Sequence, residues 1–147
     1  MEVAIRRIEA TDIDQAAELF LLAYAGPPWN ETWSFDTAKD RLKELVQTNG
    51  WLGVGAFEQA ALIGFSIGVP YTSFKGKTLF VAELLVSPDK QRKGIGNLLL
   101  TELQNLAREN ELCSSWLVSR SSGELLDFYK TNDFRYSQNL GLYSKPL

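Results

Sequence analysis

The sequence predicts a single domain of mixed α/β (α+β) class spanning residues 1–147. Short β-branched apolar runs and longer segments with helical apolar spacing follow one another in the order β-α-α-β-β-β-α-β-α-β-β, about seven strands and four helices. A 45% hydrophobic and 22% charged composition suits one ordinary core, and 147 residues leave no room for a second domain. One stretch, residues 78–110, combines an apolar strand, a glycine- and cation-rich loop and a helix, and the rest of the chain is organised around it.

Residues 3–8 alternate weakly and read as the first strand. Thr11 and Asp12 supply a helix cap, after which Ile13, Ala16, Ala17, Phe20, Leu21 and Tyr24 recur at helical spacing. Ala25-Gly26-Pro27-Pro28 ends that helix, because two prolines cannot continue it. The loop Trp29-Asn30-Glu31-Thr32-Trp33 then carries two indoles and a carboxylate outside any periodic element. Large aromatics in a loop either plug the end of a core or wall a ligand pocket, and the sequence leaves both readings open. A second helix starts at Ser34 or Asp36, shows Ala38, Leu42, Leu45 and Val46 on one face, and stops at Asn49-Gly50.

Residues 51–58 and 62–69 read as an antiparallel hairpin turning near Gln59, with Gly64 and Gly68 expected at bulges. Residues 70–77 read as a connecting loop, from which Tyr71 can reach beyond the strand ends. Leu79, Phe80, Val81, Leu84, Leu85 and Val86 make the nearly continuous apolar run of a strand covered on both faces, interrupted by one charge, Glu83. Ser87-Pro88-Asp89 ends it, and from Ile95 the residues Leu98, Leu99, Leu103, Leu106 and Ala107 line one face of a helix. Residues 112–118 read as a further strand, and Ser121 and Glu124 have capping-box spacing before a helix over 122–131. Residues 134–136 and 142–145 read as two short final strands.

The loop Gln91-Arg92-Lys93-Gly94-Ile95-Gly96 has the chemistry of an anion site. The first turn of a helix has free N–H groups and partial positive charge, Gly94 and Gly96 let a phosphate approach the backbone, and Arg92 and Lys93 add donors. A glycine pair of this kind also serves as a plain tight turn. The letters exclude a Walker A loop, which needs Gly-Lys-Ser/Thr, and a dinucleotide fingerprint, which needs a third glycine where Leu99 stands.

Composition removes other classes. The chain has no histidine, so Ser-His-Asp and Cys-His catalysis and His-ligated metal sites are excluded, and no metal is expected. With one cysteine there is no disulfide, and Cys113, in an apolar run, reads as a buried structural thiol in a reducing cytoplasm. A net charge of −3 with both signs interspersed gives no reason to expect nucleic acid as a partner. No 18-residue apolar run points to a membrane.

The hexapeptide Gln91-Arg92-Lys93-Gly94-Ile95-Gly96 resembles the pyrophosphate loop Gln/Arg-x-x-Gly-x-Gly/Ala of the GNAT N-acetyltransferases, together with Leu84-Leu85-Val86-Ser87-Pro88 before it and Leu98-Leu99-Leu100 after it. Phe128-Tyr129-Lys130-Thr131-Asn132-Asp133-Phe134 is similar to the same family's Phe-Tyr-x-x-x-Gly-Phe signature, departing from it at Asp133. The element order resembles the whole family fold, so the likeness covers essentially the full chain. It implies the acyl-CoA N-acyltransferase fold, with a central mixed, mostly antiparallel sheet flanked by the helices.

The resemblance further implies acetyl-CoA as cofactor, with the backbone of Leu84, Leu85 and Val86 on its pantetheine arm. The N–H groups of Arg92, Lys93, Gly94, Ile95 and Gly96, with Gln91 and Asn97, would hold its pyrophosphate. Ser122 stands where the family often has an asparagine, so it is either a weaker pantetheine contact or a helix cap. Tyr129 matches the tyrosine that faces the cofactor sulfur and is expected to be the general acid.

Glu83, the only carboxylate inside its strand, is the candidate base, with a structural salt bridge or an ordered water as the alternatives. By the same likeness the acceptor, expected to be a small-molecule amine, enters near Tyr24, Trp29, Glu31, Trp33 and Tyr71. Aromatic walls with one carboxylate suit a cation. A non-catalytic acyl-CoA-binding module and a peptide N-acetyltransferase are the competing readings. The family often forms homodimers, and nothing in the letters decides that here.

Overall fold

The computed structural model describes residues 2–147, which divide into two compact units, one running to Leu117 and one over Val118–Leu147. The first unit holds five strands, β1 (Ala4–Arg7), β2 (Leu52–Glu58), β3 (Ala61–Ser73), β4 (Gly76–Val86) and β5 (Ser115–Trp116). They form one mixed sheet in the order β1-β2-β3-β4-β5, antiparallel from β1 to β4 and parallel between β4 and β5. Helices α1 (Ile13–Ala25) and α2 (Phe35–Val46) cover one face of the sheet, and α3 (Ile95–Glu109) covers the other.

Each helix follows from its apolar spacing and its ends. In α1, Ile13, Ala16, Ala17, Leu19 and Phe20 are buried, and the helix stops at Gly26 before the two prolines. Its start is held by Asp12, whose carboxylate takes two hydrogen bonds from the Arg6 guanidinium, at 2.9 and 3.0 Å, and one from the Glu9 N–H at 2.8 Å. Those donors keep the Asp12 carboxyl below the usual range, with the Arg6 hydrogen bond the largest cause. In α2 the Ser34 hydroxyl caps the helix by accepting from the Thr37 N–H at 3.1 Å, and Ala38, Leu42 and Leu45 face inward.

The two-layer core explains the strand patterns. Phe57, Leu62, Phe65, Ile67 and Leu85 pack under α1 and α2, whereas Val54, Ala56, Leu79 and Val81 pack under α3 with Leu99 and Leu103. The β2–β3 hairpin turns on Gln59 and Ala60, both at positive φ (51° and 68°), as a two-residue turn matched to strand twist requires.

Several expectations need correction. Residues 70–77 form the tip of a second long hairpin, not a loop, with Tyr71 opposite Thr78 and Ser73 opposite Gly76. Pro70 is tolerated there because β2 ends opposite Gly68, so no third strand asks for the missing N–H. The strand expected over 112–118 shrinks to Ser115–Trp116, opposite Leu79 and Phe80 of β4. Just before it the Cys113 N–H donates to the Lys77 carbonyl at 2.8 Å, while the residue is exposed, its thiol 3.8 Å from the Lys75 carbonyl.

The second unit contains α4 (Glu124–Thr131), and no strand among its described residues. The sheet therefore has five strands rather than seven. Leu142 and Tyr143 of the expected final pair are 83% and 94% exposed, and a lone hairpin with no buried face is marginal in water. The helix begins at Glu124 behind Gly123 (φ +81°), with no side-chain cap, so the Ser121–Glu124 capping box does not form. Asp133 adopts φ +68°, as the change from glycine required.

Candidate active site

The registers place two bulges beside the predicted glycines, and the second one builds the site. Ile67 pairs with Glu83 and the next residue, Gly68, pairs with Val81, so Ala82 is an extra residue in β4. Before it, Leu79 and Val81 point towards α3; after it, Leu85 points towards α1 and α2. The extra residue thus shifts the alternation by one, and Glu83 lands on the α1/α2 face instead of joining Leu79 and Val81. Ser66, fully buried on β3, donates from its hydroxyl to the Glu83 carbonyl at 2.9 Å and satisfies a backbone group at the irregularity.

On that face the Glu83 carboxylate is 7% exposed and has two side-chain partners. The Tyr24 hydroxyl, from α1, donates to Oε1 at 2.6 Å, and Arg41 Nε, from α2, donates to Oε2 at 3.2 Å. Burial pushes the Glu83 carboxyl above its ordinary range; the Tyr24 and Arg41 contacts pull the other way without cancelling it, and Glu31 adds a like charge. The charged form of this carboxyl is therefore less favoured than that of an exposed glutamate.

Near Glu83 the aromatic loop packs onto the end of the core. Trp33 packs edge-on against Phe20 at 4.7 Å as part of the core, while its indole N–H donates to Glu31 at 2.8 Å. Trp29 stands edge-on to Tyr24 at 5.6 Å. Tyr24, Trp29, Glu31 and Trp33 are therefore brought together near Glu83. Tyr71 packs instead against Trp116 at 5.2 Å, and Trp116 against Phe80 at 4.6 Å. Arg41 and Trp116 were not singled out from the sequence. Arg41 is one of three cations on α2, with Lys39 and Lys43, and nothing in their spacing says which one reaches β4.

Beyond Glu83, β4 leads directly to the anion loop. Past Phe80 no strand among the described residues pairs with the outer edge of β4, so the backbone of Leu84, Leu85 and Val86 has an open side there. Gln91 donates from its amide to the Val86 carbonyl at 3.1 Å, and Lys90 pairs with Glu58 at 2.9 Å, tying the loop to the sheet. Arg92 (φ 63°) and Gly94 (φ +82°) are both left-handed, and Gly94 is the N-cap of α3.

Space around a Cβ at Gly94 is empty to 4 Å, and no side chain caps the helix. Its first turn carries no acid, while Arg92, Lys93 and Asn97 are exposed around it. A helix N-terminus of this kind favours anions. Asp89 stands nearby, its carboxylate accepting from the Ser87 hydroxyl at 2.6 Å.

In the second unit, Tyr129 lies on α4, edge-on to Phe128 at 5.1 Å and to Phe134 at 5.7 Å, and Ser122 is exposed ahead of that helix. Among the described residues no cluster of His, Cys, Asp or Glu could hold a metal ion, and no helix is long and apolar enough to cross a membrane.

The family model described as acetyltransferase (GNAT) family matches residues 13–134, reaching from the start of α1 to the end of the Phe-Tyr signature. The chain belongs to the GNAT family. Solved structures agree with the GNAT fold at low sequence identity. A possible acetyltransferase from Clostridium difficile 630 superposes with a TM-score of 0.81 at 16% identity, covering 100% of this chain and 99% of that one. The aminoglycoside N-acetyltransferase AAC(6')-Iy in complex with CoA gives 0.80 at 14% identity, covering 99% and 96%. A transcriptional regulator from Bacillus halodurans C-125 gives 0.77 at 18% identity, covering 98% and 99%. No curated protein matches the sequence of this GNAT member at a significant level.

Proposed function

We propose that this chain is an acetyl-CoA-dependent N-acetyltransferase that acts on a primary amine of a small molecule by direct attack in a ternary complex. The observation that carries the reading is β4 with its continuation, which joins a buried, doubly hydrogen-bonded carboxylate to a helix N-terminus with no acid in its first turn, within one unbroken segment. The structural likeness to an aminoglycoside N-acetyltransferase held with CoA supports the same reading. So does a family match that runs through both units, which we read as one catalytic domain working in the cytoplasm.

Acetyl-CoA, when bound, supplies an activated acyl thioester. Gln91, Arg92, Lys93, Gly94, Ile95, Gly96 and Asn97 hold its pyrophosphate, the β4 backbone at Leu84, Leu85 and Val86 holds the pantetheine arm, and Ser122 adds a hydroxyl contact. Glu83 accepts the proton that the acceptor ammonium must lose, and Tyr129 would serve as the general acid, its hydroxyl supplying a proton on the cofactor's sulfur side. Glu31 and the rings of Tyr24, Trp29 and Trp33 receive the cationic acceptor, with Tyr71, packed on Trp116, outside that group.

The test is product identity: incubation with acetyl-CoA and a panel of polyamines, aminoglycosides, amino acids and short peptides, followed by mass analysis of the amines. One small-amine class should gain a single acetyl group, and Tyr129→Phe should slow its formation by about tenfold or more. Acetylation of peptides alone would move the assignment to a protein acceptor. CoA binding without any acetylated amine would favour a binding module, a reading to which the similarity to a transcriptional regulator lends support.

A further inference from the structure

We propose that Tyr24 is a catalytic residue, the relay through which the acceptor ammonium delivers its proton to Glu83. The inference rests on the reading of Glu83 as base and adds the route by which the proton reaches it. Glu83 is only 7% exposed, whereas Tyr24 is half-buried and stands between that carboxylate and the aromatic loop, edge-on to Trp29. Its hydroxyl proton is already directed at Glu83 Oε1 over 2.6 Å, and a phenol that donates one hydrogen bond can exchange that proton for one delivered to its oxygen.

Arg41 occupies Oε2, so of the two carboxylate oxygens Oε1 is the one joined to a group that can pass on a proton. The charged and titratable groups facing Glu83 are Tyr24 from α1, Arg41 from α2 and Glu31 from the loop between them.

The step balances without a further reactant. An acceptor N–H bond breaks and an Oη–H bond forms on Tyr24, while the original Oη–H bond breaks and an Oε1–H bond forms on Glu83. Tyr24 is neutral before and after. The amine is left with its lone pair, and Glu83 carries one proton, which returns to solvent by the reverse path once the acetylated product has gone.

A purely structural role is the competing explanation, since Tyr24 also packs on Phe20 at 4.6 Å. Tyr24→Phe keeps the ring and removes only the hydroxyl. The experiment measures kcat/KM for wild type, Tyr24→Phe and Glu83→Gln with two acceptors of similar shape, one strongly basic and one already neutral at the assay pH. Circular dichroism confirms that each variant is folded.

Relay predicts that Tyr24→Phe loses about tenfold or more with the basic amine and recovers to near wild type with the neutral one. An equal loss with both amines, or no loss with either, overturns it. If Glu83→Gln is impaired while Tyr24→Phe is not, the base assignment stands and the relay falls. If wild type acetylates neither amine, both fall together.

Discussion

Glu83 is held between opposed influences, and their balance sets what it can do. Burial favours the protonated form, Tyr24 and Arg41 favour the charged one, and burial wins, so its folded pKa is raised. The sign follows for two different properties. A raised carboxyl contributes stability that is present below its unfolded pKa and is lost as pH rises through the folded value, so ionising Glu83 costs stability. With Glu83 as the proposed base, activity should rise over that same interval.

Glu83 was legible in the sequence because a lone acid in an apolar strand must have a reason, whereas its partner Arg41 looked like any cation on a helix surface. Gly94 was singled out for letting a phosphate near the backbone, and its φ of +82° adds a second reason for glycine: a side chain there costs about 1–2 kcal/mol, roughly tenfold in the affinity of whatever needs that loop shape. Gly94→Ala should accordingly raise the Kd for CoA about tenfold in a calorimetric titration while leaving far-ultraviolet circular dichroism unchanged. An unaltered Kd would remove the loop from the binding site.

At the scale of elements, the bulge at Ala82 does the positioning. It is invisible in composition and in the apolar pattern, because an inserted residue changes which face each later side chain meets and not which residues are present. The glycines beside both bulges were the available signal, and they located the irregularities without saying which strand carried the extra residue. Ser66 anchors the bulge through the Glu83 carbonyl.

Ser66→Ala leaves that buried acceptor unsatisfied at a cost of about 1–3 kcal/mol. Tm should then fall by several degrees, roughly 2–4 °C per kcal/mol for a chain of this length. A calorimetric Tm equal to wild type would show that the hydroxyl anchors nothing. The hairpin tip at 70–77 was misread because a proline and small polar residues there resemble a loop. The final two strands were misread because period-2 patterning cannot say whether a ladder partner exists.

For the whole molecule, the order of helices and the first four strands, the two faces of the core and the glycine-rich loop between β4 and α3 were all readable, since each rests on local pattern. The missing histidines narrowed the chemistry further, by excluding imidazole from any proton transfer. What local pattern could not supply was the convergence of α1, α2 and β4 on one carboxylate, which depends on contacts 59 and 42 residues apart in sequence.

That convergence is the centre of the mechanism, and the most direct measurement of it is the pH dependence of kcat/KM for acetyl transfer to the best amine, for wild type beside Glu83→Gln. Wild type should rise along an acidic limb that lies above the ordinary glutamate range, and Glu83→Gln should lose that limb and run about tenfold or more slower on the plateau. Superimposable profiles for the two proteins would contradict the assignment of Glu83 as the base.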